Sequence, residues 1–291
     1  MAKRWSKKRK ALVIALGGFA VSGLLYLWLP YRVAMVQLFF WLGGSRLLIS
    51  AEYSPLDAPA YRPAAEVAEY ADDAEVLWWE LHGAAHAIPA QRIAWHLVVN
   101  DEIGGEPVVV TLCTVSDAAL AYRASCGDRT LRFAPVRLAR NNLVLRDAQT
   151  GSDWQQFTGR ALDGPLAGTE LQRVPLQRMR LADWRRAHPA GAIVKPAGTA
   201  QDCCAPNDAC PVMSYFPTHP FLLQRPSHED GRLPRKQPVV GMVFEDGAAV
   251  ACPAEPSGCA PIEPASLLTL RCYWFAWVEF QPETRLSRRV P

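Results

Sequence analysis

The sequence predicts a mainly β, antiparallel body with a few short helices, an α+β arrangement being the alternative, behind an N-terminal transmembrane helix. Two observations carry this. Residues 11–29, "ALVIALGGFAVSGLLYLWL", contain no charged side chain. From Glu75 onward, short apolar runs rich in Val, Leu and aromatics are divided by Gly, Asn and Asp, the texture of short strands at close spacing.

Residues 1–10, "MAKRWSKKRK", form a basic tail expected to stay in the cytoplasm, because Lys and Arg are retained on that side. The anchor occupies residues 11–32. Its nineteen uncharged residues span roughly 28 Å as a helix, close to the hydrocarbon core of a bilayer. Leu29, Pro30, Tyr31 and Arg32 follow in place of a small-x-small cleavage site, so an uncleaved anchor is preferred to a signal peptide. A second apolar stretch at 33–44 has no loop before it. It either continues the helix past a kink at Pro30 or lies in the interface with Trp41. One crossing of the inner membrane is expected, with the body in the periplasm or outside the cell. Residues 33–72 then read as the juxtamembrane stretch and an Ala-, Pro- and acid-rich linker ending in a short helix.

Charge is divided unevenly. Residues 1–50 hold eight basic side chains and no acidic one, leaving 31 − 8 = 23 basic against 28 acidic residues in the remainder. A mildly acidic body argues against nucleic acid as a partner.

The main β-rich unit is placed at 73–224 and a C-terminal β unit at 225–291. "EVLWWELHGAAHAIP" predicts two strands turning at His82-Gly83; "PVVVTLC", "AALAYRA", "TLRFAPV" and "NNLVLRDAQTGSDWQQF" continue the pattern. "LADWRRAHP" predicts a short helix stopped by Pro189. "YWFAWVEF" reads as a core strand with Trp274 and Trp277 inward. Residues 76–89 and 240–253 share six of fourteen residues in register, which makes the C-terminal unit a candidate partial repeat.

Eight cysteines are present. "DCCAPNDAC" and "CPAEPSGC" place several of them in Pro/Gly-punctuated loops, which favours loop-stapling disulfides in an exported body. The rival is a thiolate metal site on Cys203, Cys204 and Cys210 with His219. Neither segment has the paired CxxC spacing of structural zinc.

The densest chemistry lies in "WHLVVNDEIGGEPVVVTLC". Gly104-Gly105 between apolar runs signals a two-residue hairpin, which pairs residues whose numbers sum to 209. Asn100 then faces Val109, and His96 faces Cys113 at a Cβ separation of ~4.5–5.5 Å. "PAQRIAWH" also reads as a helical turn, and a bulge near Asn100-Asp101 would shift the register. Three readings of Cys113 follow: a nucleophile activated by His96, a transition-metal site begun by the two, or a buried thiol acting as a small hydrophobe. Asp101 and Asp147 are the candidate acid, base or orienting groups, and Cys126 is a possible disulfide partner for Cys113. In "RDAQTGSDW", Asp147 and Trp154 form an acid–turn–aromatic cluster whose plain reading is a β-turn bonded by Asp147. His82 and His86 are expected at the surface. No nucleotide-binding loop or hydrolase motif is present.

These blocks carry a resemblance. "RIAWHLVVNDEIGGEPVVVTLCTVSDAALAY", "NNLVLRDAQTGSDWQQFTGRALDGPLAGTELQRVP", "ADWRRAHPAGAIV" and "YWFAWVEFQPETRL" resemble successive blocks of a bacterial family catalogued as a domain of unknown function, DUF3179. The resemblance spans Asp73 to Leu286. It implies a secreted or membrane-anchored β-rich protein and brings no activity with it. Trp95, His96, Asn100 and Asp101 match the family's Trp-His and Asn-Asp elements and, with Trp154, are the candidate ligand-binding residues. Where typical members carry a Cys-Pro-Leu-Cys-like pair, this chain has Cys113, Thr114, Val115 and Ser116. Its Ala134-Pro135-Val136 likewise replaces a serine-glycine.

The leading expectation is a membrane-tethered periplasmic module that binds a ligand or a membrane-protein partner without catalysis and without a required cofactor. Its rivals are a thiol- or metal-dependent enzyme or metallochaperone centred on His96 and Cys113, and a structural subunit of a membrane complex.

Overall fold

The computed structural model describes residues 53–196, 222, 224–254 and 266–287. The predicted anchor, residues 33–44, and Cys203, Cys204, Cys210, His219 and Cys259 lie outside them. No helix among the described residues is long and apolar enough to cross a membrane. The chain divides into two units, Met1–Gly44 and Ser45–Pro291, and every element below belongs to the second.

The hairpin of β5 (Val98–Ile103) and β6 (Glu106–Cys113) sits at its centre. Gly104 and Gly105 have φ of 61° and 83°, as a type I′ turn requires. Asn100 faces Val109 as expected. The central sheet runs β1 (Leu56–Asp57), β5, β6, β7 (Ala118–Arg123), β14 (Arg173–Val174). A second sheet runs β15 (Gln177–Arg180), β3 (Glu75–Leu81), β4 (Ala84–Pro89), β16 (Ala192–Val194), β2 (Tyr61–Pro63). The third comprises β10 (Phe133–Ala139), β11 (Asn142–Asp147), β12 (Asp153–Gln155) and β13 (Arg160–Ala161). β8 (Ser125–Cys126) and β9 (Arg129–Thr130) make a small hairpin.

Side-chain alternation explains how these sheets stack. Val99 and Ile103 on β5, and Val108, Val110 and Leu112 on β6, join Leu77, Trp79 and Ile88 of the second sheet in one core. The intervening residues Asn100, Thr111 and Tyr122 turn the other way and bond to Phe133 of the third sheet and to Gln156, just past the end of β12. The central sheet is therefore covered on both faces. That is why "PVVVTLC" is unbroken and apolar instead of alternating.

The second sheet is covered twice as well. Val76, Ala87 and Ile193 face away from that core, onto Val67, Tyr70 and helix α2 (Leu181–Ala187), which contributes Leu181 and Trp184. The helix stops just before Pro189, as the sequence predicts. A short helix α1 (Ala90–Ala94) precedes β5.

A fourth sheet runs β19 (Ser266–Tyr273), β17 (Pro238–Phe244), β18 (Ala249–Pro253), β20 (Arg285–Leu286). "YWFAWVEF" corrects the expectation of a strand. It forms helix α3 (Trp274–Phe280). Trp274, Trp277 and Val278 repeat at helical spacing, so one face buries both indoles. Gly241 makes room for this: a Cβ there would stand 2.3 Å from Trp277 Cε3. The apparent repeat has a structural counterpart, since β3–β4 and β17–β18 are both hairpins with a positive-φ glycine in the turn, Gly83 and Gly247. The pairings differ by one residue, however: Val76 faces Pro89, whereas Val239 faces Pro253.

Polar ties join the C-terminal sheet to the rest. Arg178, almost enclosed, donates to Glu75 and Asp117, and Arg271 of β19 donates to the same Glu75. The Ser116 carbonyl accepts from the Tyr273 amide at 2.9 Å. Buried Glu279 accepts from Arg140 Nε and from the Ser227 and His228 amides.

Candidate functional site

The run from Trp95 to Asp101 behaves as a cleat for the segment that precedes it in the chain. After α1 the chain turns at Leu97, whose φ is +62°, and only then becomes extended. The ladder therefore ends at Val98 opposite Thr111, with the Leu97 carbonyl taking one more bond from the Leu112 amide. His96 does not reach the position opposite Cys113. Instead its Nδ1–H donates to the Ser54 carbonyl at 2.9 Å.

Asn100 is buried and faces the third sheet. Its amide group donates to the Phe133 carbonyl and accepts from the Phe133 N–H, at 2.9 and 2.8 Å, and donates to Asp57 Oδ1 at 2.8 Å. Asp57 is held from its other oxygen by Arg132 at 2.9 Å. Asp101, on the opposite face of β5, accepts the Tyr61 hydroxyl at 2.6 Å. Ser54, Asp57 and Tyr61 thus receive His96, Asn100 and Asp101 in order.

Tyr61 and His86 are the functional candidates the sequence did not single out as a pair. His86 meets the Tyr61 ring edge-on at 5.1 Å and lies parallel to Trp79 at 6.1 Å. Burial raises Asp101 above the ordinary carboxylate range despite the opposing Tyr61 bond. Burial, then the Asp101 charge, pushes Tyr61 well above an ordinary phenol, and burial lowers His86. Three titratable groups from three strands meet here, and only their fold-brought proximity reveals it.

Cys113 ends β6 opposite Ala118 and is buried. Burial pushes its thiol up, against hydrogen bonds from the Ser116 hydroxyl and nearby backbone amides. Around it runs an enclosed polar network. Asn142 donates to Ser116 Oγ at 3.1 Å and to Gln156 Oε1 at 2.7 Å, and Gln156 donates to Thr111 Oγ1 at 3.0 Å. Cys113, Cys126 and Cys272 are free thiols, so the alternative of a Cys113–Cys126 bridge is not formed.

Asp147 lies apart from this network. One oxygen accepts Trp154 Nε1 at 2.9 Å and Thr150 Oγ1 at 2.8 Å, the other the Thr150 amide at 2.5 Å. Burial alone would raise it, but these bonds outweigh burial and hold it below the usual value. It fastens the turn between β11 and β12, and Trp154 packs edge-on against Phe133. No cluster of three or more metal-ligating side chains occurs among the described residues. A cleft of about 230 Å³ opens over Trp274, Phe275 and Val278, rimmed by His228 and Glu229.

A family model described as "Protein of unknown function (DUF3179)" matches residues 54–257, beginning at the serine that His96 binds. The chain belongs to this family. No curated protein matches it, and no solved structure does. The DUF3179 match covers all the cleat residues and the Cys113–Ser116 turn, and leaves β19, α3 and β20 beyond its end.

Proposed function

We propose that this DUF3179 protein is a membrane-tethered periplasmic module that binds a ligand or a membrane-protein partner without catalysis of its own. The carrying observation is where its polar residues are engaged. His96, Asn100 and Asp101 fasten the segment at 54–61 that follows the uncharged N-terminal stretch. Cys113 is sealed between sheets with its thiol pushed up, the opposite of an activated nucleophile. The basic tail and residues 11–29 support the anchor, and the spacing of Cys203, Cys204, Cys210, Cys252 and Cys259 supports disulfide-stapled loops.

The test is fractionation of the full-length protein with a carbonate wash, followed by cross-linking in membranes. Retention in the washed membrane and a discrete cross-linked partner are expected. Release by carbonate would overturn the anchor. Bound transition metal lost on Cys113→Ala or His96→Ala would overturn the binding-module reading in favour of a metallochaperone or enzyme.

A further inference from the structure

We infer that residues 53–63 form a releasable latch over two sheet edges, whose opening bares the outer edges of β5 and β16.

The latch supplies an outer strand to two sheets. β1 lies at the edge of the central sheet and β2 at the edge of the second. Peeling both leaves every other strand pair intact. β1 contributes two paired residues and β2 three. None of residues 53–63 is fully buried, and Leu56 and Tyr61 only lean on the core. Burial begins at Ala64 and continues at Val67 and Tyr70. Ala64 donates its amide to the Gly191 carbonyl, and the Tyr70 hydroxyl reaches the Val194 carbonyl. The chain is therefore fixed from Ala64 onward and held before it by two short ladders, the Ala58 and Ala60 backbone bonds and the side chains of His96, Asn100, Asp101 and Arg132. Ala58 sits at φ +45°, a conformation unfavourable for alanine. Edges with little buried apolar surface are where sub-global opening occurs.

Released, eleven residues add up to roughly 36 Å of extended chain. The outer edges of β5 and β16 would then be open.

Hydrogen exchange on the full-length protein in detergent tests this. The Ala58 amide, bonded to the Asn100 carbonyl, and the β2 amides should exchange with little dependence on denaturant. They should exchange ~10-fold or more faster than those of β3 and β6, as local opening requires. Tyr61→Phe and Asp57→Ala, each removing a latch bond, should accelerate those amides further and leave β3 and β6 unchanged. Exchange of the latch amides only with global unfolding, in wild type and both variants, would overturn the latch. That result is independent of carbonate extraction, which tests the anchor.

Discussion

Asn100 bonds both backbone polar groups of Phe133, accepting its N–H and donating to its C=O. One side chain on β5 thereby does for β10 what a neighbouring strand would do, and joins the central and third sheets. Replacing it by alanine leaves two backbone groups unpaired in an enclosed place. Asn100→Ala is expected to cost roughly 2–3 kcal/mol, read as a lower urea midpoint with unchanged slope. A loss under half a kcal/mol would show that water takes over the amide's role.

Asp147 carries a pH signature. Its carboxyl is held below the unfolded-chain value of 3.8. Its stabilisation is thus fully present above that value and lost as pH falls through the lower, folded one. Asp147→Asn should destabilise the protein by about 1–3 kcal/mol at neutral pH. The gap from wild type should narrow in acid, and equal gaps at pH 7 and pH 2.5 would refute the assignment.

The three free thiols among the described residues should separate in a labelling experiment. Cys126 is half-exposed on a small hairpin, whereas Cys113 and Cys272 are buried with their thiols pushed up. Native protein at neutral pH is expected to take label at Cys126 within minutes, and at Cys113 and Cys272 only after denaturant is added. Prompt modification of Cys113 would restore it as a candidate nucleophile.

Gly241 faces the Trp277 ring with no space for a methyl group. Gly241→Ala should cost roughly 1–3 kcal/mol by overpacking and perturb tryptophan fluorescence. A neutral result would mean α3 shifts freely on its sheet.

Much of the β framework was legible in the residues. The His82-Gly83 and Gly104-Gly105 turns announce themselves through the glycine their backbone needs, and the register of β5 and β6 follows by counting. Asp147 was likewise readable as a turn-bonding acid. Two things were hidden. β1 and β2 are too short to show a two-residue period, so a segment with the composition of a linker gave no sign of being strand. Leu97 adopts a left-handed conformation that its type does not advertise, and that one residue separates His96 from Cys113. "YWFAWVEF" misled because an all-apolar run fits either period until its neighbours are known. The meeting of Tyr61, His86 and Asp101 joins strands far apart in the chain, and no local pattern encodes it.

The second sheet also imposes an order on biogenesis. Tyr61 pairs with Val194, Glu75 with Arg180, and the same Glu75 bonds Arg271. Strands made early wait for partners made late, and contacts so distant in sequence form slowly. Leu77, Trp79 and Ile88 gain their cover from Val99 to Ala121 soon after they are made, but β3 and β4 keep open outer edges until β15 and β16 are delivered, so the nascent second sheet is expected to be exposed to mispairing until about two thirds of the chain has emerged.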